Sequence, residues 1–520
     1  MSSSVRTNGG RGPTNRLAVI AIGVALALAL LALPAAASAA GRAYWTDNAS
    51  RVSFAALDGA GGGILSLGGG TLSNPGGAAI DSATGRIYWV NETGSVSFAS
   101  LDGSGGGGVL NTTGATFNQP FGATIDPVGR RIYWANSGSI AYANLDGSGG
   151  GVLNTGAAPV FTAEGPAVDP AAGRIYWARI SGSEIGYANL DGSGGGALNT
   201  TGAAVNGPDG VAIDPVTKRL YWSNNGGVSP ISYANLDNSG GGGNLNVSGA
   251  NTLSPRGVAI DPEARRIYWA EEESPGSISY ADLGGGGGAV LPSAGASLQF
   301  LRFPILQNPP HAISAPALTG AAAIGATLSC SQGGWAGDEP GSQLYRAPSG
   351  FSFQWLRDGA AVAGASTASY APTAAGSYAC RVTAANAAGS TAQTSAAIDV
   401  PRPAKAPGRA IVAGQATVKK GKAGLRMRCP AKGGECRGVV KLVGFGATKG
   451  AGKDRASSRG RRVVLGKRRF RIAPGKKKVV PVKLSGAGLR MLNRASNHRI
   501  TVSVVGKWVK PRSISLLLAG

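Results

Sequence analysis

Five equivalent places in a repeated stretch carry unlike side chains. Gly76, Phe121, Glu164, Asp209 and Arg256 each stand five residues before an aspartate, at Asp81, Asp126, Asp169, Asp214 and Asp261. An aromatic, two acids and an arginine in one ring could grip a peptide or a glycan. Glu164 and Asp209 are also the acids a metal-dependent hydrolase or lyase would use, because paired carboxylates can hold a divalent cation. Ordinary mixed polarity on exposed loops is the plainer reading of the same positions. The recurring aspartates read as turn formers, with a ring of cation-binding carboxylates as the alternative. The chain has two histidines, His311 and His498, and no HExxH stretch or nucleophile triad. It is therefore expected not to be an enzyme, and to use no cofactor and no metal.

A second chemistry sits at the other end. Residues 401–520 hold 31 of the 50 Lys and Arg but only two of the 26 acids, Glu435 and Asp454. The densest run includes Arg461, Arg462, Lys467, Arg468, Arg469, Lys476, Lys477 and Lys478, with Lys449, Lys453, Arg455 and Arg459 before it. So much charge of one sign points to an anionic polymer, bound in a salt-sensitive way. With Trp508 the one tryptophan here and no recognisable nucleic-acid module, specific nucleic-acid binding is not expected.

These residues need elements to position them. A Tyr-Trp pair recurs at Tyr44-Trp45, Tyr88-Trp89, Tyr133-Trp134, Tyr176-Trp177, Tyr221-Trp222 and Tyr268-Trp269, in steps of 44, 45, 43, 45 and 47 residues. Each repeat reads as four short strands, as in Gly210–Asp214, Arg219–Trp222, Ile231–Leu236 and Asn244–Val247, which is the arithmetic of a β-propeller blade. Glycine, 85 of 520 residues, marks the turns between them. The recurring aromatics, including Phe54, Phe98, Tyr142, Tyr187, Tyr233 and Tyr280, are expected to pack the blades together. The LDGSGGG runs read as turns, since they match neither a calcium β-roll nor a phosphate loop.

The region resembles the YWTD propeller of low-density lipoprotein receptor class B repeats, which has six blades. Tyr44-Trp45-Thr46-Asp47 spells the motif in full; the later copies read YWVN, YWAN, YWAR, YWSN and YWAE. The resemblance implies a six-bladed β-propeller over residues 41–308 that binds a partner. Because the chain enters at the second strand of a blade, Leu298–Phe303 is expected to supply the missing strand and close the ring, hiding its edges.

Residues 311–401 carry Cys330, Trp355 and Cys380 at equal spacing, with Tyr378 two before the second cysteine. This pattern signals an Ig-like β-sandwich with a Cys330–Cys380 disulfide across Trp355, and the stretch resembles the Ig-like modules of bacterial surface proteins. Residues 402–520 read as a basic β-sandwich-like domain, from alternating apolar and basic runs, with a local Cys429–Cys436 disulfide. At the N-terminus, Arg6, Arg11 and Arg16 precede an apolar run from Leu17 to Leu33, and Ala37-Ser38-Ala39 fits a signal-peptidase site, so residues 1–40 read as a cleaved signal. An uncleaved anchor is the alternative.

The reading is an all-β, secreted or cell-surface binding and adhesion protein. Its propeller recognises an extracellular protein or glycan through Phe121, Glu164, Asp209 and Arg256, and its basic end attaches to an anionic cell-envelope polymer. No transmembrane span is expected after signal cleavage. A propeller hydrolase or lyase, and a structural envelope protein without a specific ligand, are the alternatives.

Overall fold

The computed structural model describes residues 41–227, 229–273, 275–446 and 461–519. The expected signal, residues 1–40, lies outside the described residues, as do Lys449, Lys453, Arg455 and Arg459. The described residues are almost entirely β, with one α-helix, Gly486–Arg494.

Each repeat folds into an antiparallel sheet whose strands follow chain order. In the second sheet these are Pro75–Asp81, Arg86–Asn91, Ser95–Ser100 and Gly108–Leu110. Five such four-stranded sheets form, and a sixth sheet is built from both ends of the region. The Trp of each pair is fully buried. It packs between sheets: Trp89 shares a cluster with Tyr44, Val52 and Ile305 of the first sheet. Its indole N–H also donates to a backbone carbonyl of the preceding loop, Trp89 to Thr71 (2.8 Å), Trp177 to Pro159 (2.7 Å) and Trp222 to Ala204 (3.0 Å). Trp45 instead reaches Ser297 O, 252 residues away (2.9 Å), which joins the region's two ends. Tyr and the third-strand aromatic pack as tilted rings with centroids 5.3–6.0 Å apart, as in Tyr221–Tyr233 and Tyr176–Tyr187, and an arginine lies over the third-strand ring, as Arg131 does over Tyr142 (4.4 Å).

Asp47 of the full motif accepts from Arg51 N (3.1 Å) within its own hairpin, whereas most of the residues in the aspartate's place in later copies bind the preceding loop. Asn91, Asn136 and Asn224 accept from the backbone N–H of Ser73, Asn118 and Asn206, at 2.9–3.1 Å. Glu271 accepts from Ser254 N in the same way (2.7 Å). The buried N–H needs an acceptor and not a charge, so an amide carbonyl serves.

The closing strand is Ile305–Gln307, which pairs with Arg42–Asp47 in the register Arg42↔Gln307 and Tyr44↔Ile305. The expected strand Leu298–Phe303 is instead irregular, because Phe300 takes a left-handed φ of 49° that an extended strand does not admit. Pro309 and Pro310 follow.

The first strands of the repeats approach one another so closely that side chains are excluded. A Cβ on Gly77 would stand 2.5 Å from Gly122 Cα, one on Gly122 2.6 Å from Gly165 Cα, one on Gly165 2.4 Å from Gly210 Cα, and one on Gly210 2.6 Å from Gly257 Cα. The ring of Phe303 lies against Gly165, Gly210 and Gly257 and occupies the sixth place.

In residues 311–401, one sheet runs Leu318–Gly320, Leu328–Cys330, Ser369–Tyr370. A second runs Ala360–Ala361, Gly350–Arg357, Gly376–Asn386, Gly389–Thr394, with Ile398–Val400 also on Gly376–Asn386. Cys330 and Cys380 are disulfide-bonded, Trp355 is fully buried beside them, and Tyr378 Oη donates to Ala374 O (2.9 Å). The basic end is β-rich. It is one eight-stranded sheet that curls until Arg461–Ile472 meets the end of Lys477–Lys483 at a Gly466–Leu484 bridge. Its alternating residues fill a single core of Val, Leu, Ile and Met, and Ser485 caps the helix that covers it. Cys429–Cys436 is a disulfide.

The glycine contacts give a direct test. Gly210→Val should cost about 1–3 kcal/mol or more, the range for overpacking a filled site. Gly284→Ala, where a Cβ meets nothing within 4 Å, should be near neutral. Thermal unfolding of the two variants against wild type measures the difference.

Candidate functional site

Pro75–Asp81, Phe121–Asp126, Ala163–Asp169, Pro208–Asp214 and Pro255–Asp261 are the first strands of five sheets. Gly76, Phe121, Glu164, Asp209 and Arg256 stand at their starts, each one residue before a contact glycine. The fold therefore gathers the four side chains chosen from sequence at one end of the axis.

They form a connected set. Glu164 stands close enough to Asp209 for the two carboxyls to interact electrostatically. Asp209 is buried and accepts from Arg256 Nη1 (2.5 Å) and from Gly257 N (3.1 Å). Arg256 Nε also donates to Glu272 (2.7 Å). Burial first, and then the negative charge of Asp209, push the Glu164 carboxyl up to about 10. Glu164 is thus a hydrogen-bond donor at neutral pH. Arg256 is held charged more firmly than usual: burial opposes its charge, but Asp209 and Glu272 outweigh that.

Sequence reasoning missed a sixth member. Arg302 lies over the Phe121 ring (4.8 Å from its centroid) and 3.6 Å from Glu92. It stands five residues before Gln307, so the same offset would have found it, had Gln307 been recognised in the place of the turn aspartate. Phe303 follows it and, with the glycines, floors the pit.

The recurring aspartates lie at the far ends of the same strands and hold turns. Asp126 accepts from Val128 N and Gly129 N (2.9 and 3.0 Å), and Asp214 from Val216 N (3.0 Å). Two of them also bind an arginine of the next sheet, Arg130 to Asp81 (2.6 and 2.7 Å) and Arg265 to Asp214 (2.9 Å). In the LDG elements, Asp102 accepts from Ser104 N and Asp146 from Ser148 N, both at 2.9 Å, as turn residues do.

In the basic end, Arg462, Lys467, Arg468 and Arg469 are exposed on Arg461–Ile472, which Arg461 begins; Lys476, Lys477 and Lys478 are exposed at the start of the neighbouring Lys477–Lys483. Like charges face each other directly across strands at Lys441↔Lys467, Arg437↔Arg471, Arg428↔Lys477 and Lys422↔Lys483. Such pairs destabilise a sheet. Lys441, Lys467, Arg468, Arg469 and Lys507 line an open cleft of about 960 Å³ with Val439, Val505 and Gly506. Glu435 binds Arg471 (2.6 Å).

The sequence matches no family model and no curated protein. Solved structures similar to this chain include a nidogen/laminin complex (19% identity, 51% of this chain and 98% of that one covered, TM-score 0.42). A putative TolB from Agrobacterium tumefaciens (13%, 48% and 87%, 0.36) and the gluconolactonase XC5397 from Xanthomonas campestris (16%, 48% and 82%, 0.35) are others. At these identities the likeness concerns the propeller fold alone. One expectation is corrected: the similar structures include lactonases, so the expectation that the chain is not an enzyme does not stand. Among the described residues, no helix is long and apolar enough to cross a membrane.

Glu164 makes stability depend on pH. The folded chain keeps a proton there that the unfolded chain releases above its ordinary value of 4.5, so stability falls as pH rises from that value toward about 10. Glu164→Gln should flatten the decline of melting temperature between about pH 5 and about pH 9, with each protein's values taken relative to its own at the lower pH.

Proposed function

We propose that the chain is a secreted or cell-surface binding protein. In this reading residues 41–308 are a closed six-bladed YWTD-like propeller, residues 311–401 an Ig-like module, and residues 402–520 a basic domain that holds the molecule to an anionic envelope polymer. The observation that carries the binding role is the rim of the pit. Phe161, Leu253 and Phe300 are 62, 71 and 43% exposed, and each lies within three residues of Glu164, Arg256 or Arg302. Exposed apolar side chains close to a cluster of charges mark a surface that can meet a partner. The two disulfides fit an extracellular setting.

The retention role rests on the cross-strand cations, of which Arg471 is paired with an acid, Glu435. Deletion of residues 402–520 should release the protein from envelope fractions at low salt, and raising salt should do the same to the full chain. Retention unchanged by either treatment would sink this part of the reading. Phe161→Asp with Leu253→Asp should abolish capture of a rim ligand while leaving envelope retention intact, which a pull-down with the full chain measures.

A hydrolase or lyase built on the same pit is the second reading. What favours it is a carboxyl that keeps a proton beside another fixed by an arginine, the asymmetry acid–base chemistry needs. Calorimetric binding of a divalent cation that disappears in Asp209→Asn would favour it over simple recognition. A structural envelope role remains if neither a ligand nor a cation binds.

A further inference from the structure

The repeat region does not close on its own residues alone. Residues 337–346 leave the sheets of the middle module, between Gly334–Trp335 and Gly350–Arg357, and enter the axis of the repeat region from the end opposite Glu164. Pro340–Ser342 forms a buried 3-10 turn there. Ser342 Oγ donates to Ile213 O (2.7 Å), and Gln343 Nε2 to Pro166 O (3.1 Å). A Cβ on Gly341 would meet Val168 O at 2.8 Å and the Ile213 side chain at 2.9 Å. Leu344–Tyr345 then pairs in parallel with Ile305–Gln307 and becomes the fifth strand of the first sheet.

Charged groups fix both ends of the segment. Asp338 accepts from Ser82 Oγ (3.0 Å) and from the backbone N–H of Arg346 and Ala347 (both 2.8 Å). The Arg346 guanidinium, 9% exposed, binds Glu263 and Glu339 (3.1 Å to the latter), and Glu263 also contacts His311 (3.2 Å). Tyr345 is buried with Tyr44, Ile80 and Ile305. Without this segment, the Ile213 and Pro166 carbonyls and the edge of the closing strand would lose these partners. Buried polar groups without partners are costly, and an open strand edge is a liability.

We propose that residues 337–346 are an internal plug that completes the repeat region and locks it to the middle module as one cooperative unit. The closing strand has only three residues, Ile305–Gln307, between the first strand and the plug. It is therefore held from both sides, and the plug is part of what keeps the ring shut. The axis is filled below the glycine contacts, so the pit at Glu164 is blind and a ligand reaches it from the rim. The middle module is accordingly a structural part of the repeat region and not a free spacer on a Pro309-Pro310 hinge.

Hydrogen exchange on the full chain tests this. Tyr345→Ala should raise exchange at the Leu306 and Asn308 amides, which donate to Gln343 O and Tyr345 O (2.8 and 2.9 Å), by about 100-fold or more, the size expected from truncating a buried aromatic. Exchange in Ala163–Asp169 and Pro208–Asp214 should rise with them, and so should exchange in Gly350–Arg357 and Gly376–Asn386 of the middle module; a middle module that stays protected while the repeat region loosens overturns the lock. Loosening confined to the middle module, with the repeat region unchanged, overturns the proposal. If Tyr345→Ala does not fold, the wild type decides. Leu306, Asn308 and the first-strand amides opening together, at one rate across a denaturant series, supports the lock; Leu306 and Asn308 opening separately at low denaturant overturns it.

Discussion

Backbone crowding at the axis is the constraint on which the rest of the repeat region depends. Gly77, Gly122, Gly165, Gly210 and Gly257 let neighbouring first strands approach until their Cα atoms would touch an added Cβ. That closeness sets how the sheets are inclined to one another and leaves wedge-shaped gaps farther out. The six buried tryptophans fill those gaps, and their indole N–H groups tie each sheet to the loop before it. The sixth place at the axis has no glycine, and Phe303 takes up the space there. The same crowding thus makes a packed wheel and a floor for the pit above it.

The pit's electrostatics follow from that floor. Side chains one residue before the glycines cannot turn toward the axis below and are crowded together above it. Glu164 and Asp209 end up close enough that one holds a proton, and Arg256 and Arg302 are drawn in to balance the remaining charge. The basic end handles charge in the opposite way. Its cations stay on the outer surface of a curled sheet, opposite one another, with few acids to offset them. One end of the chain therefore presents a compensated, buried set of charges and the other an uncompensated, exposed one.

Much of this was legible in the residues because it is local. A strand's two faces follow from alternation, so the repeated Ile-Tyr-Trp and third-strand aromatics announced both the sheets and their packing. The cysteine spacings announced both disulfides. Phe121, Glu164, Asp209 and Arg256 were singled out by one offset applied to a repeat. Where the signal was not periodic, the reading slipped. Phe300 takes a left-handed turn inside an apolar run that looked extended, and the closing strand begins only at Ile305. Alternating basic runs in the last domain fit a sandwich or a curled sheet equally well, since both bury every second residue.

The sequence by itself determined the strands, their buried faces, the charge division between the two ends and the bonds between cysteines, because each depends on residues near one another in the chain or on one repeated spacing. Only the tertiary structure decided that Arg302 joins Glu164, Asp209 and Arg256, that Phe303 stands in for a sixth glycine, and that Pro340–Tyr345 fills the axis from the other module. Those contacts join residues roughly 40 to 180 positions apart. They depend on where the ring closes, and a turn of three residues followed by a strand of two leaves no pattern in the sequence to mark it.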